Sequence, residues 1–282
     1  MRVFLGIALF SAIVLHAQPS IVPGGVLNAA SFAKNGLVGA PVAPGSLVAI
    51  FGSGLGATQA DADTVPFSNN LGGVTATFNG VPAPLRDVVP AAGIINVQIP
   101  FEAFPAGQGS AQATLVVNFN GQSATQQVPM VPSAPGIFTL PSGVGYAVLV
   151  NLKDGTIAAP GPNVPGGFTL ASHPIPRGTA TYFYATGLGA MTPAVADGAG
   201  SPTDPSGAYP QCNANPIIWI GGVNTGVMAH VDFAGQAPGY PGVYQVNFTI
   251  PANAPTGNSI DLQLQSADGT QTSPAVAKIA IQ

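Results

Sequence analysis

Pro44-Gly45-Ser46-Leu47-Val48-Ala49-Ile50-Phe51-Gly52-Ser53-Gly54-Leu55-Gly56-Ala57 has a second, altered copy, Pro176-Arg177-Gly178-Thr179-Ala180-Thr181-Tyr182-Phe183-Tyr184-Ala185-Thr186-Gly187-Leu188-Gly189-Ala190. Each copy runs from a Pro/Gly turn, through a β-rich apolar run, to a Gly-Leu-Gly-Ala stop. That is the pattern of a strand held between two turns. The shared tails begin at Gly54 and Gly187, 133 residues apart. A repeat of that period is a whole domain duplicated, because solenoid units recur roughly every 20 to 50 residues.

The segments around the two copies correspond in order. Val74-Thr75-Ala76-Thr77-Phe78 alternates and ends in Asn79-Gly80, a hairpin signal; Ile217-Ile218-Trp219-Ile220 ends in Gly221-Gly222 at the matching place. Ile95 to Pro100 is answered by Tyr244 to Pro251, with Asn96 equivalent to Asn247. Ala113 to Phe119 and Val128 to Val131 complete the first unit; Ile260 to Leu264 and Lys278 to Ile281 complete the second. Asn28 and Asn151 take equivalent places in the opening pieces, and Ala147 to Asn151 reads as one such piece. Asp61 to Asn70 and Ala194 to Asn215 read as polar loops. Short strands divided by turn signals predict an all-β chain of two tandem immunoglobulin-like antiparallel β-sandwiches. The expected units are residues 18–132 and 133–282. Ser133-Ala134-Pro135-Gly136 between them is too short for a loose tether, so the units are expected to touch.

The composition agrees. The 282 residues include 37 Gly and 29 Pro, spread between apolar runs, which excludes a helical protein. Charged residues make up 6% and hydrophobic ones 46%, so Thr, Ser, Asn, Gln and Gly must form the surface. Such a surface suits secretion or packing against a matrix. Net charge is −4, and the six basic residues are scattered singly. Nucleic-acid binding therefore lacks its basic stripe, and membrane-surface attachment its polybasic patch.

Residues 1–17 read as a cleaved signal peptide: Arg2, an apolar run, then Ala17. No later stretch is long and apolar enough to span a bilayer. The expected location is extracellular or at the outer cell surface. Cys212 is the only cysteine, so no disulfide forms within the chain.

Pro44-Gly45-Ser46 with its strand and Gly-x-Gly-Leu-Gly, the strand into Asn79-Gly80-Val81-Pro82-Ala83-Pro84, and the Ile95-to-Pro100 strand together resemble immunoglobulin-like modules of the IPT/TIG type. A more particular series is Asn28-Ala29-Ala30-Ser31-Phe32, Ala134-Pro135-Gly136-Ile137-Phe138, Asp154-Gly155-Thr156 and Ala185-Thr186-Gly187-Leu188-Gly189. It resembles the uncharacterised C-terminal region of secreted acidobacterial proteins of the Solibacter type. The resemblance covers nearly all of the chain after residue 17. It implies an extracellular tandem of Ig-like modules and brings no catalytic residue with it.

The patterns that would carry chemistry are incomplete. Gly52-Ser53-Gly54-Leu55-Gly56 lacks the following helix that a phosphate loop needs, and Phe51 stands where a nucleophile elbow has glycine. His230-Val231-Asp232 puts an imidazole and a carboxylate on one strand face with no recognisable nucleophile. His173 is far from His230 and there is no cysteine cluster, so no zinc site is expected. Asp61 with Asp63, and Asp197 with Asp204, offer two carboxylates per loop, where calcium takes about six to eight oxygens. Glu102 is the only glutamate, so no Glu-based acid/base pair is expected. The chain is expected not to be an enzyme and to need no cofactor; a hydrolase using His230 and Asp232 is a remote alternative.

All six tyrosines, Tyr146, Tyr182, Tyr184, Tyr209, Tyr240 and Tyr244, lie in the second unit with Trp219, the only tryptophan. Trp219 aligns with Thr77, opposite Val74, Ala76 and Phe78, and is expected to point away from its own core. An outward Trp near tyrosines is a stacking platform for a sugar or a hot spot for a protein; the plainer alternative packs it against the first unit. Trp219, Tyr209 and Tyr240, near the Ala194-to-Asn215 loop, are the expected binding residues. The expected function is a secreted or cell-surface, non-catalytic binding or adhesion module whose partner is a polysaccharide or an envelope protein. A structural spacer of the cell envelope without a ligand is the alternative.

Overall fold

The computed structural model describes residues 18–33, 40–203 and 208–282. The expected signal peptide and Asp204 lie outside the described residues.

The first half carries β1 (Ser20–Asn28), β2 (Leu47–Ser53), β3 (Ala60–Asp61), β4 (Val74–Phe78), β5 (Val81–Ala83), β6 (Leu85–Val89), β7 (Ile94–Gln98), β8 (Ala111–Phe119) and β9 (Gln122–Met130). One sheet has the order β1-β2-β7-β6-β3 and the other β5-β4-β8-β9. The second half carries β10 (Gly136–Ile137), β11 (Thr139–Leu140), β12 (Gly145–Ala147), β13 (Leu149–Asn151), β14 (Ala180–Thr186), β15 (Met191–Thr192), β16 (Gln211–Cys212), β17 (Ile217–Ile220), β18 (Val227–Ala229), β19 (Val231–Gln236), β20 (Tyr244–Thr249), β21 (Gly257–Gln265) and β22 (Ala277–Ile281). Its seven-stranded sheet runs β10-β14-β20-β19-β16-β15, with β13 also on β14; its six-stranded sheet runs β11-β12-β22-β21-β17-β18. These ladders are antiparallel, save that β12 runs parallel to β22. The chain is all-β, and among the described residues no helix is long and apolar enough to cross a membrane.

Alternation decides which side chains enter the cores. Val74, Ala76 and Phe78 are buried while Thr75 and Thr77 face outward; Ile218 and Ile220 are buried while Trp219 faces outward. Val48, Ile50, Val97, Phe78, Leu115 and Val117 meet between the two sheets of the first half. Phe183, Val246, Phe248, Ile218, Leu262 and Leu264 do so in the second. Each such side chain taken fully out of water contributes about 1.5–3 kcal/mol. With no disulfide, this burial holds both halves. Tyr244 is wholly buried, and its hydroxyl donates to the Gly189 carbonyl at 2.6 Å.

The repeated segments take equivalent registers. Asn28 pairs with Val48, and Asn151 with Thr181, the same position of the repeated strand. Asn96 pairs with Ala49, and Asn247 with Tyr182, again equivalent. Several elements differ from the sequence expectation. β6 and β19 are strands whose alternation is broken by an extra residue, Arg86 in one and Asp232 in the other. The Ala147-to-Asn151 piece is split: Ala147 pairs with Thr139 in one sheet, while Leu149 crosses to pair with Phe183 in the other. The short strand β3 runs into the first residue of one polar loop, and β16 lies within the other.

The halves touch, as their short connection predicts. The Thr186 hydroxyl donates to the Gly242 carbonyl at 2.7 Å and accepts the Leu47 N–H at 2.9 Å. The Gly198 N–H donates to Gln98 Oε1 at 2.6 Å. The Gly-Leu-Gly stop of the second copy serves this junction. Gly187 has φ +83°, and a Cβ there would collide with the Ala134 carbonyl. Its glycine permits close backbone approach rather than phosphate binding.

Candidate functional site

Strand β14 carries the candidate site because its alternation sorts aromatic residues onto two faces. Phe183 and Ala185 enter the core; Tyr182 and Tyr184 stand on the outer face of the seven-stranded sheet. On neighbouring β20, Asn247 lies opposite Tyr182 and Gln245 opposite Tyr184. The Gln245 amide donates to Asn247 Oδ1 at 2.8 Å, which fixes both side chains. The Tyr182 and Tyr184 rings meet edge to face, with centroids 5.5 Å apart and planes at 73°.

At Tyr184 this face borders a cleft of about 520 Å³ between the two halves. The second half contributes Tyr184, Tyr240 and Phe138; the first contributes Phe32, Asn96 and Arg86. Tyr240 is 61% exposed. Burial, then the neighbouring Tyr182 and Tyr240, push the Tyr184 phenol up to about 12, so it stays a neutral donor and acceptor. Arg86 pairs through Nη1 with Asp87, whose carboxylate also accepts the Asn96 amide at 2.6 Å. The Asp87 side chain is only 4% exposed, so the guanidinium at the cleft has its counter-ion beneath it.

Phe32 reaches the cleft from a strained turn. Its φ is +50°, a region bulky residues rarely enter. Asn28 Oδ1 accepts the N–H groups of Ala30 and Ser31, and the Asn28 carbonyl accepts that of Phe32 at 2.8 Å. The turn after Asn151 repeats two of these bonds, from the Lys153 N–H to Asn151 Oδ1 and from the Gly155 N–H to the Asn151 carbonyl, with Gly155 at the place of Phe32. The Phe32 ring meets Phe51 edge-on at 6.3 Å.

Of the expected binding residues, Tyr240 lines this cleft, and Tyr209 lies half-buried just before β16 on the same sheet. Trp219 lies elsewhere. It points away from its own core, as its alignment predicts, but β17 belongs to the six-stranded sheet. Its neighbours there are Met228 and Gln263, and its indole N–H donates to Gln265 Oε1 at 3.1 Å. Tyr240 lies in the loop between β19 and β20 of the seven-stranded sheet, and the cleft it lines does not include Trp219, so the two do not form one platform. Tyr182, Tyr184, Gln245, Asn247 and Phe32 were not singled out from sequence. Strict alternation around Phe183 was the signal that placed the two tyrosines outward.

The other candidates are surface or junction pairs. His230 Nδ1 lies 3.1 Å from Asp232 Oδ1 on an imidazole 88% exposed, beside the extra residue of β19. His173 Nε2 lies 2.9 Å from Asp154 Oδ2, and its Nδ1 lies 2.8 Å from the Pro174 carbonyl. The Pro174 carbonyl first, then Asp154, raise the His173 pKa. The Thr156 hydroxyl, then His173, hold Asp154 down to about 2. Glu102 does have a carboxyl neighbour. Asp197 comes across the junction, accepts the Phe101 N–H at 3.0 Å, and is raised to about 6 by burial and by Glu102 beside it. The expectation that a lone glutamate excludes such a pair is thus corrected. The partner is an aspartate 95 positions away. No group of three or more His, Cys, Asp and Glu side chains converges among the described residues. The Cys212 thiol is buried and pushed up to about 12, which keeps it protonated.

Comparison of the chain with protein-family models and with curated proteins finds no match.

Proposed function

We propose that this chain is an exported, non-catalytic binding module made of two immunoglobulin-like units, and that it holds its ligand in the cleft between them. One observation carries the reading: Tyr184, Tyr240 and Phe138 of the second half and Phe32 of the first line one cleft where the two halves meet, with the Asn96 amide beside them. Aromatic faces flanked by amides bind through stacking and directed hydrogen bonds, and need no reacting group. Export rests on the apolar leader at residues 1–17 and on a surface nearly without charge.

The test is retention of residues 18–282 on insoluble polysaccharides and on cell envelopes. Retention that falls at least tenfold in Tyr240→Ala, and is unchanged in Trp219→Ala, supports the cleft. Retention lost in Trp219→Ala but kept in Tyr240→Ala would move the site to the six-stranded sheet. No retention on either material, with self-association in light scattering, would favour a structural spacer.

A further inference from the structure

We infer that the ligand of this cleft is a single uncharged glycan chain, gripped from both halves at once rather than stacked on one flat face. The inference rests on the binding reading and deepens it. Three observations carry it.

The first is the geometry of the rings. A module that lies on a crystalline polysaccharide presents coplanar rings to a flat surface. Tyr182 and Tyr184 are 73° apart and cannot share a plane. Tyr184 alone of the pair borders the cleft, where it joins Phe32, Phe138 and Tyr240 around a groove, which suits one chain entering between walls. The cleft volume of about 520 Å³ falls within the usual range for small-ligand sites, not that of a flat protein–protein patch.

The second is the polar lining. Asn96 and the hydroxyls of Tyr184 and Tyr240 each offer both donors and acceptors, as sugar hydroxyls do. The Asn96 amide is already oriented by its hydrogen bond to Asp87 Oδ1, so less ordering remains to be done on binding. Among the described residues Arg86 is the only cation lining this cleft, and Asp87 pairs with it from below. An acidic sugar or a phosphate would find no unmatched positive charge among these lining residues.

The third is the division of the lining. Phe32, Asn96 and Arg86 belong to the first half; Tyr184, Tyr240 and Phe138 belong to the second. Neither half alone encloses the cleft. The strained Phe32 turn has its evident use here: it delivers a ring to the wall that the second half leaves open.

The experiment is titration calorimetry on residues 18–282 with soluble neutral hexasaccharides (glucan, xylan and mannan fragments), oligogalacturonate as the acidic probe, and crystalline cellulose and chitin by sedimentation. The variants are Tyr240→Ala and Phe32→Gly. The second removes the first-half ring and installs the residue that the equivalent turn already uses, so the fold is retained; thermal unfolding verifies this. The expected result is saturable binding of a neutral hexasaccharide, weakened about tenfold or more by either variant, as loss of one stacking ring worth about 1.4 kcal/mol requires. Binding unchanged in Phe32→Gly would overturn the shared site. Binding to crystalline polymer alone, or to oligogalacturonate in preference, would overturn the single neutral chain while the binding reading stands. Capture of an envelope protein with no glycan bound at all would do the same. Failure to bind any probe or envelope would end both.

Discussion

Phe32 occupies, in the first half, the left-handed turn position that Gly155 occupies in the second. The φ angles are +50° and +75°, and the same carbonyl and amide bonds from Asn28 and Asn151 frame both turns. A Cβ at Gly155 would meet nothing within 4 Å, so only backbone strain opposes a side chain there. Gly155→Ala should destabilise the protein by about 1 kcal/mol. Phe32→Gly should stay within about 1 kcal/mol of the parent, since relief of strain offsets the lost contact with Phe51. Urea unfolding midpoints decide both. A loss above about 3 kcal/mol in Phe32→Gly would show that the ring holds the fold rather than the cleft.

Gly187 and Gly80 both have positive φ, yet only Gly187 has a neighbour in the way. Gly187→Ala drives a methyl into the Ala134 carbonyl, so about 3 kcal/mol or more should be lost as the junction shifts. Gly80→Ala at the hairpin tip should cost about 1 kcal/mol. Equal effects of the two, again read from urea midpoints, would refute the close approach at the connection.

The carboxyl of Asp197 titrates where the halves meet. Its pKa is raised from 3.8 to about 6, by burial first and by Glu102. The folded state thus holds the proton more tightly than the unfolded chain. This contribution to stability is complete below pH 3.8 and is lost as pH rises through about 6. With Asp197 partly solvated, its size is discounted to about 1 kcal/mol. Asp197→Asn keeps an acceptor for the Phe101 N–H and should remove this fall. It should be the more stable protein at pH 8, and no more stable at pH 4. Parallel melting curves for parent and variant across that range would refute the assignment.

His173 and Asp154 act in the opposite sense on either side of neutrality. The His173 pKa is raised, so its contribution is complete below pH 6.5 and lost as pH climbs through the raised value. Asp154 is lowered from 3.8 to about 2, so its contribution is complete above pH 3.8 and lost only as pH falls toward 2. The pair is charged and joined between those limits. Ring-proton NMR should give His173 a pKa above 6.5, and Asp154→Asn should bring it down. A value at or below 6.5 in the parent would refute the ion pair.

The equivalence of the repeated segments was legible because it is written in local periodicity. Asn28 and Asn151, and Asn96 and Asn247, take equivalent registers because strand alternation and turn spacing repeat with them. The outward direction of Trp219 followed from the same rule. Strand β6 was hidden because Arg86 inserts one residue and reverses the alternation midway; Asp232 does the same in β19, of which only the start at His230-Val231-Asp232 read as strand. The separation of Trp219 from Tyr240 needed to be seen in space, since sheet membership depends on pairing with strands far along the chain. The cleft was still less accessible. Its two walls and the Asp197–Glu102 pair exist only once one half is set against the other.

Ala134 has consequences for how this protein would carry a load. Its N–H donates to the Gly187 carbonyl at 2.8 Å, and its own carbonyl accepts the Asn28 amide at 3.1 Å. The residue that links the halves is thus stitched to a strand end of each. Tension along the chain would not first pay out a slack tether; it would pass from one sandwich into the next as shear across hydrogen-bonded strands. The joint between the halves would then resist extension rather than yield first.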